Sequence, residues 1–473
     1  MLACRTKESQ LSRRVRTSSP PGAHTPTIER EIPFVAGALG IMLLLFGYYV
    51  YTWRSFSGFA AAIDTCERPF CDFVRFYFPM GAAISHTPLP VPGYSYSPFN
   101  ALLMSGFPRL GITTSNALWG ILQASSIILY IVLFRRLVPA GLPVQLLFVA
   151  LALSSFPILH NLPWGQVGIF TTVAILSTLY LYEEKRHLAA AGALAFAVSF
   201  KFFPLIFLTP FALRRDTRFV LLALLACGTC LLVLPGVVLG LGDTLRFYGA
   251  LFESYRNMGW VITNYNSQHF PHVAIRLASA AGHDWSTYLP MLRMISYAIA
   301  AANVGLVFHV QKRRLPHADL FTFLILFLTI PFVLSTSWPV DLAFLPFAQG
   351  LLLWCVFDKK GVPGSGEATG TGPGDKESPE VAHPAQRAVA LLLVLTSIAI
   401  SNVMFFNLVG DLLGYGFMGF VFWADSLLLM ATYVELVSPW PRRRIGVPAA
   451  KQLAEADSAG GRKRNGARPA ELS

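Results

Sequence analysis

Apolar runs of about twenty residues recur from residue 34 to residue 436, and this repetition constrains the fold more than any other feature of the chain. A helix rising ~1.5 Å per residue needs that length to cross ~30 Å of hydrocarbon. Inside a bilayer each backbone polar group must be satisfied within the protein, so such runs specify helices rather than open strands. Length alone would divide the 473 residues into roughly three soluble domains of ~150 residues each. Hydrophobic residues at 54% against 13% charged override that division. The sequence therefore predicts an all-α integral membrane protein, a bundle of about 12 transmembrane helices with two long exterior loops.

Basic residues set the orientation, because cytoplasmic loops collect Lys and Arg. A net charge of +12 would suit a nucleic-acid partner, but the cations sit in short clusters between apolar runs instead of on one face. Residues 1–33 form a basic cytoplasmic tail, and the run after it lacks a small-residue cleavage pattern, so it reads as a retained first helix. Alternate crossings then bring Arg135-Arg136, Lys185-Arg186, Arg214-Arg215, Lys312-Arg313-Arg314, Lys359-Lys360 and Arg442-Arg443-Arg444 to the same side as that tail. The membrane core spans 34–357. A Gly/Pro/Ser/Glu-rich cytoplasmic linker at 358–387 is expected to be disordered, two further transmembrane helices occupy 388–436, and 437–473 form a disordered cytoplasmic tail. The stretch 188–213 has cytoplasm-like charge at both ends but only enough residues for two arms of ~13, so it must enter and return with Lys201-Phe202-Phe203-Pro204 at a sunken turn. Residues 98–110 are too short to span and read as an interfacial helix.

Polar side chains at or near membrane depth cost several kcal/mol unless paired and mark candidate sites. In this threading Asp72, Trp164 with Gln166, Lys201, Asn264 with Asn266 and Gln268, and Trp338 with Asp341 come from distant segments and share the exterior face. A carboxylate can move a proton, a lysine can hold a phosphate, and amides can hold hydroxyls. Plainer readings exist for each: Asp72 paired with Arg75, Lys201 snorkelling, Gln166 capping a helix. Cys66 and Cys71 form either an exterior disulfide or two free thiols, and Cys227 with Cys230 read as packing residues in an apolar helix. Several carboxylates in one loop could hold a divalent cation, but no ligand spacing is diagnostic; no nucleotide motif is present and no cofactor is expected. A flippase or a lipid-binding subunit would use the same groove.

Several elements together resemble a known family: Asp72-Phe73 with Tyr77, Tyr96-Ser97-Pro98, Gly165-Gln166, Lys201-Phe202-Phe203-Pro204-Leu205 before Arg214-Arg215, Asn266-Ser267-Gln268, and Ser337-Trp338. Over residues 35 to 357 the chain is similar to the polyprenol-phosphate-mannose-dependent glycosyltransferases of the C-type membrane fold (glycosyltransferase family 87), which include bacterial phosphatidylinositol-mannoside mannosyltransferases. The resemblance implies a bacterial cytoplasmic membrane protein whose active site faces the exterior. It further implies an inverting transfer of a hexose, mannose in the first instance, from a polyprenyl-phosphate donor to a lipid or glycan acceptor. Asp72 would be the general base and Lys201 the donor-phosphate ligand, while Tyr77, Tyr96, Trp164, Gln166, Asn266, Gln268, Trp338 and Asp341 would bind substrate. Two positions depart from the pattern. Pro339-Val340-Asp341 follow Ser337-Trp338 where relatives often carry histidine, making Asp341 a substitute contact or an alternative base, and Gly168 stands where relatives often carry asparagine.

Overall fold

A computed structural model describes residues 28–53, 69–313, 317–358, 384–409 and 412–437. Within them the chain is helical and contains no strand, only an isolated bridge between Ser155 and Asn402. Six helices are long and apolar enough to cross a membrane: Glu31–Thr52, Ile112–Leu137, Thr217–Leu239, Ser286–Arg313, Pro339–Phe357 and Pro384–Ser401. Five shorter apolar helices accompany them: Leu142–Ser154, Gly168–Glu183, His187–Phe200, Phe203–Leu213 and Ala318–Val333. Runs expected to be continuous are broken where a proline follows a helix start. Phe156–Trp164, with Pro157 in its first turn, restarts after Leu142–Ser154, and Ile330–Val333, with Pro331, restarts after Ala318–Leu328.

Composition decides what each helix faces. Ala318–Leu328 is apolar on all sides and is buried all round. It packs with Pro339–Phe357, which is 94% buried, and both contribute to the main core with Phe207, Phe211, Phe344 and Phe347. The first span is equally apolar but only 6% buried, with Leu43, Leu44 and Phe46 exposed as a lipid-facing surface would require. Few polar contacts tie the interior together: Asn303 Nδ2 donates to Thr329 Oγ1 at 3.0 Å, and Gln349 Nε2 donates to Ser397 and Ser401 hydroxyls at 3.2 and 2.9 Å.

The expected short arms are present. His187–Phe200 leads to Lys201 in extended backbone, and a 3-10 turn at Phe203–Leu208 with the helix Thr209–Leu213 returns. Pro98–Met104 differs from an interfacial helix, because Pro98, Asn100, Ala101 and Met104 are buried against the bundle. Ser97 explains this anchoring: its hydroxyl caps the helix at Asn100 N, 3.2 Å away, and donates to Ser199 O at 2.6 Å.

The helices Pro384–Ser401 and Phe420–Val437 pack against one another and against Leu345–Asp358, so the C-terminal pair shares the main core. Pro384 begins its helix inside the expected linker, and the first span begins at Ile28, inside the expected tail. Residues 1–27, 359–383 and 438–473, which carry most of the expected tails and linker, lie outside the described residues, as does 54–68 of the first exterior loop.

Candidate active site

Asp72 reaches the bundle through an unusual local backbone. Phe70 adopts a left-handed φ of 58°, which turns the chain inward, and its side chain fills the space beside Gly120 and Gly165. A π-helical turn follows at Phe73–Tyr77, and both of those residues are buried among Trp119, Phe107 and Tyr94. Phe73 stacks on Trp119 at 4.7 Å. Cys71, adjacent to Asp72, is disulfide-bonded, whereas Cys227 and Cys230 are free thiols. Cys66 lies outside the described residues.

Gln166 meets Asp72 from the facing helix end. Gly165 closes the helix Phe156–Trp164 at φ 62°, a left-handed cap that glycine adopts without steric cost. Trp119 Nε1 donates to Gly165 O at 3.0 Å and Gln123 Nε2 to Gln166 O at 2.7 Å, while Asn161 Nδ2 holds Gln123 Oε1 at 2.8 Å. The backbone of Gln166 is therefore fixed on both sides. Its Oε1 accepts from Tyr96 at 3.0 Å and from Tyr77 at 3.2 Å, so Nε2 must face Asp72, to whose Oδ2 it donates. Burial holds both phenols well above the usual tyrosine range, and they remain donors. Asp72 is 6% exposed, while Arg75, its obvious partner by sequence, is exposed.

Lys201 is anchored differently. Its ammonium pairs with Asp341 Oδ1, and Asp341 Oδ2 accepts from Trp338 N at 3.1 Å, capping the 3-10 turn Pro339–Leu342. The Asp341 side chain is fully enclosed, while Lys201 keeps 14% of its side chain exposed. Gly168 belongs to this junction, since a Cβ there would collide with the Val340 carbonyl. That close approach leaves no room for a side chain at position 168.

These elements enclose a cavity of about 710 Å³ at one end of the bundle. Asp72, Tyr77, Tyr96, Trp164, Gln166, Lys201, Asn266 and Trp338 line it. Two other candidates stand behind its wall. Asp341 holds Lys201, and Gln268 is fully buried, with its N donating to Ser337 O at 2.6 Å and its Oε1 accepting from Phe422 N at 3.0 Å. Gln268 thus joins the cavity wall to the C-terminal helix pair. Arg276 makes the same connection, donating to Asn264 O, Ser267 O, Gly416 O and Phe417 O. Tyr255 ties the second loop to the first by donating to Ser95 O at 2.6 Å.

Sequence reasoning passed over His160, Trp260, His272 and Arg293, all of which line the cavity. His160 Nε2 accepts from Trp164 Nε1 at 2.9 Å, and Trp260 stacks on Trp338 at 6.0 Å. Along the chain His269 and His272 are unremarkable, and only the packing of the helix Phe270–Ala280 brings His272 to the cavity. No group of three or more His, Cys, Asp or Glu side chains able to hold a metal occurs among the described residues.

The opposite ends of the same helices form a second cavity of about 940 Å³, lined by Arg136, Arg214, Arg215 and Lys312 with Glu183 and Asp319. The two cavities differ in their company: amides and stacked aromatics join Asp72, Lys201, Arg256 and Arg293 at the first, while Arg136, Arg214, Arg215 and Lys312 meet Glu183 and Asp319 at the second.

No curated protein and no solved structure matches the chain. The model of Glycosyltransferase family 87 matches residues 94–337, just over half of the chain, a range that includes Tyr96, Trp164, Gln166, Lys201, Asn266 and Gln268 and stops short of Asp72, Tyr77, Trp338 and Asp341. Because this match covers more than half of the chain, the chain belongs to glycosyltransferase family 87.

Proposed function

We propose that the protein is an inverting hexosyltransferase that takes its sugar, mannose in the first instance, from a polyprenyl-phosphate carrier and gives it to a lipid or glycan acceptor. The observation that carries the reading is Asp72 on the cavity wall, held by the neutral amide of Gln166, in the same cavity as Lys201. An amide orients a carboxylate without neutralising it, which suits a general base. In a single displacement the acceptor oxygen attacks the anomeric carbon as its proton passes to Asp72. The bond from that carbon to the phosphate oxygen breaks, and the carrier leaves as a phosphate monoester. The charge developing on the leaving oxygen is balanced by the ammonium of Lys201, whose place at the turn after His187–Phe200 is fixed by Asp341. Attack opposite the leaving group inverts the anomeric centre, so a β-linked donor yields an α-linked product.

The clustered cations at the other end of the bundle support a cytoplasmic placement for that end and an exterior placement for the cavity, in a bacterial cytoplasmic membrane with both termini inside. Stacked Trp260 and Trp338 offer a face for a sugar ring, and Asn266 offers hydroxyl contacts. The test is transfer of radiolabelled mannose from synthetic polyprenyl-phosphate-mannose to a lipid extract, comparing purified wild type with Asp72→Asn. Label transferred by wild type alone supports the donor and the base together. Binding of the donor without transfer by either protein would favour a lipid-binding or flipping role instead.

A further inference from the structure

The cations of the large cavity are unevenly matched. Lys201 has the enclosed carboxylate of Asp341. Arg256 and Arg293 also line the cavity, and among the described residues neither has an ion-pair partner. Arg256 is exposed and satisfied by solvent, but Arg293, in the first turns of the helix Leu289–Arg313, is half-buried. A partly desolvated guanidinium without a counter-ion is costly, and the cost is recovered when an anion binds. A snorkelling arginine would instead extend its head away from the protein.

His272 supplies an independent observation. It lines the same cavity from the helix Phe270–Ala280, is 1% exposed, and its Nε2 is buried with no hydrogen-bond partner. Its Nδ1 lies 2.8 Å from Ser267 Oγ. When the serine hydroxyl donates to Nδ1, Nε2 carries the proton and is an unpaired donor on a ring that lines the cavity. Burial first, then the charges of His269, Arg276 and Arg293, push this ring down to about 3, so it is neutral at pH 7 and adds a donor without adding a second buried charge. A guanidinium fork beside a neutral N–H matches the oxygens of a phosphate better than a lone carboxylate oxygen.

We propose that Arg293 and His272 form a phosphate-binding subsite on the loop-and-helix wall of the cavity, separate from Lys201, that takes a phosphate group of a lipid substrate. The proposal rests on reading the cavity as a substrate site. The phosphate has two chemical sources, the isoprenoid carrier or a glycerophospholipid-based acceptor.

Binding to the purified full-length protein separates them. Three probes are titrated against tryptophan fluorescence: citronellyl phosphate, the uncharged citronellol, and dihexanoyl phosphatidylglycerol. The wild type should prefer at least one phosphate-bearing probe over citronellol by tenfold or more. Arg293→Gln should reduce that preference about tenfold, Arg293→Lys, which keeps the charge but not the fork, should retain only part of it, and His272→Gln should lose a smaller part. Loss confined to citronellyl phosphate assigns the subsite to the carrier, and loss confined to the phosphatidylglycerol assigns it to the acceptor. Unchanged preference in Arg293→Gln overturns the proposal, as does an equal loss for citronellol or a wild type that does not discriminate. Because no transfer is measured, a glycosyltransferase with unaltered Arg293→Gln binding would refute this subsite alone.

Discussion

Asp72 and Asp341 are two buried carboxylates at the same cavity, delivered by different kinds of turn. Asp72 precedes a π-helical turn after the first span and points along the cavity wall toward an amide. Asp341 sits inside a 3-10 turn at the head of the most buried span, where one oxygen holds Lys201 and the other accepts from Trp338 N. On the proposed reading one residue type takes two roles: the carboxylate held by a neutral donor on a cavity wall receives a proton, and the one enclosed with a lysine positions that lysine.

The strongest test of that contrast is Asp72→Asn, which preserves shape and hydrogen-bonding capacity. It should lower transfer by about 10²–10⁴-fold with an unchanged melting temperature, measured as initial rate and thermal unfolding in detergent. If Asp341→Asn removes transfer and Asp72→Asn does not, the two roles are reversed. Asp341→Ala leaves Lys201 beside an uncompensated site and should destabilise the fold by about 3 kcal/mol. The double variant Lys201→Met with Asp341→Leu should recover much of that stability while transfer stays low, a pattern expected only if Asp341 acts through Lys201. Gln166→Leu removes the amide that orients Asp72 and strands the Tyr96 hydroxyl, while Tyr77 still donates to Tyr96 at 2.7 Å, so kcat should fall about tenfold and stability by about 1–3 kcal/mol. An unaffected kcat would mean that Asp72 is oriented by other groups.

The smallest effect is in pH. The ring of His272 is held at about 3 against an unfolded value near 6.5, with His269, Arg276, Arg293 and Ser267 around it. The unfolded chain therefore binds more protons between those values. The contribution is fully present above pH 6.5 and is lost as pH falls toward 3. Melting curves from pH 7.5 to 4.5 should show wild type losing stability faster than His272→Gln.

Much of this architecture is legible along the chain. Hydropathy and flanking charge locate the long spans, and the shortage of residues between Lys185 and Arg214 forces a turn at Lys201, where the structure has it. Helix breaks at Ser155 and Thr329 are less visible, because a proline in an apolar run is compatible with either a kink or a restart. Most of the candidate residues gather on one cavity, but sequence could not say that Gln268 would turn away from it to bond Phe422 N, or that Gly168 would be held against Val340.

By itself, the sequence determined that the chain is helical and which segments are long and apolar enough to cross a membrane, because hydropathy acts locally and is read within a window of about one helix. Only the tertiary structure decided which polar groups share a cavity and which neutralise each other. Lys201 and Asp341 are 140 residues apart, and His272 and Arg293 belong to separate helices. Their meeting depends on how buried helices pack, and the central spans carry apolar side chains on every face, so no stripe along the chain records which neighbour each will meet.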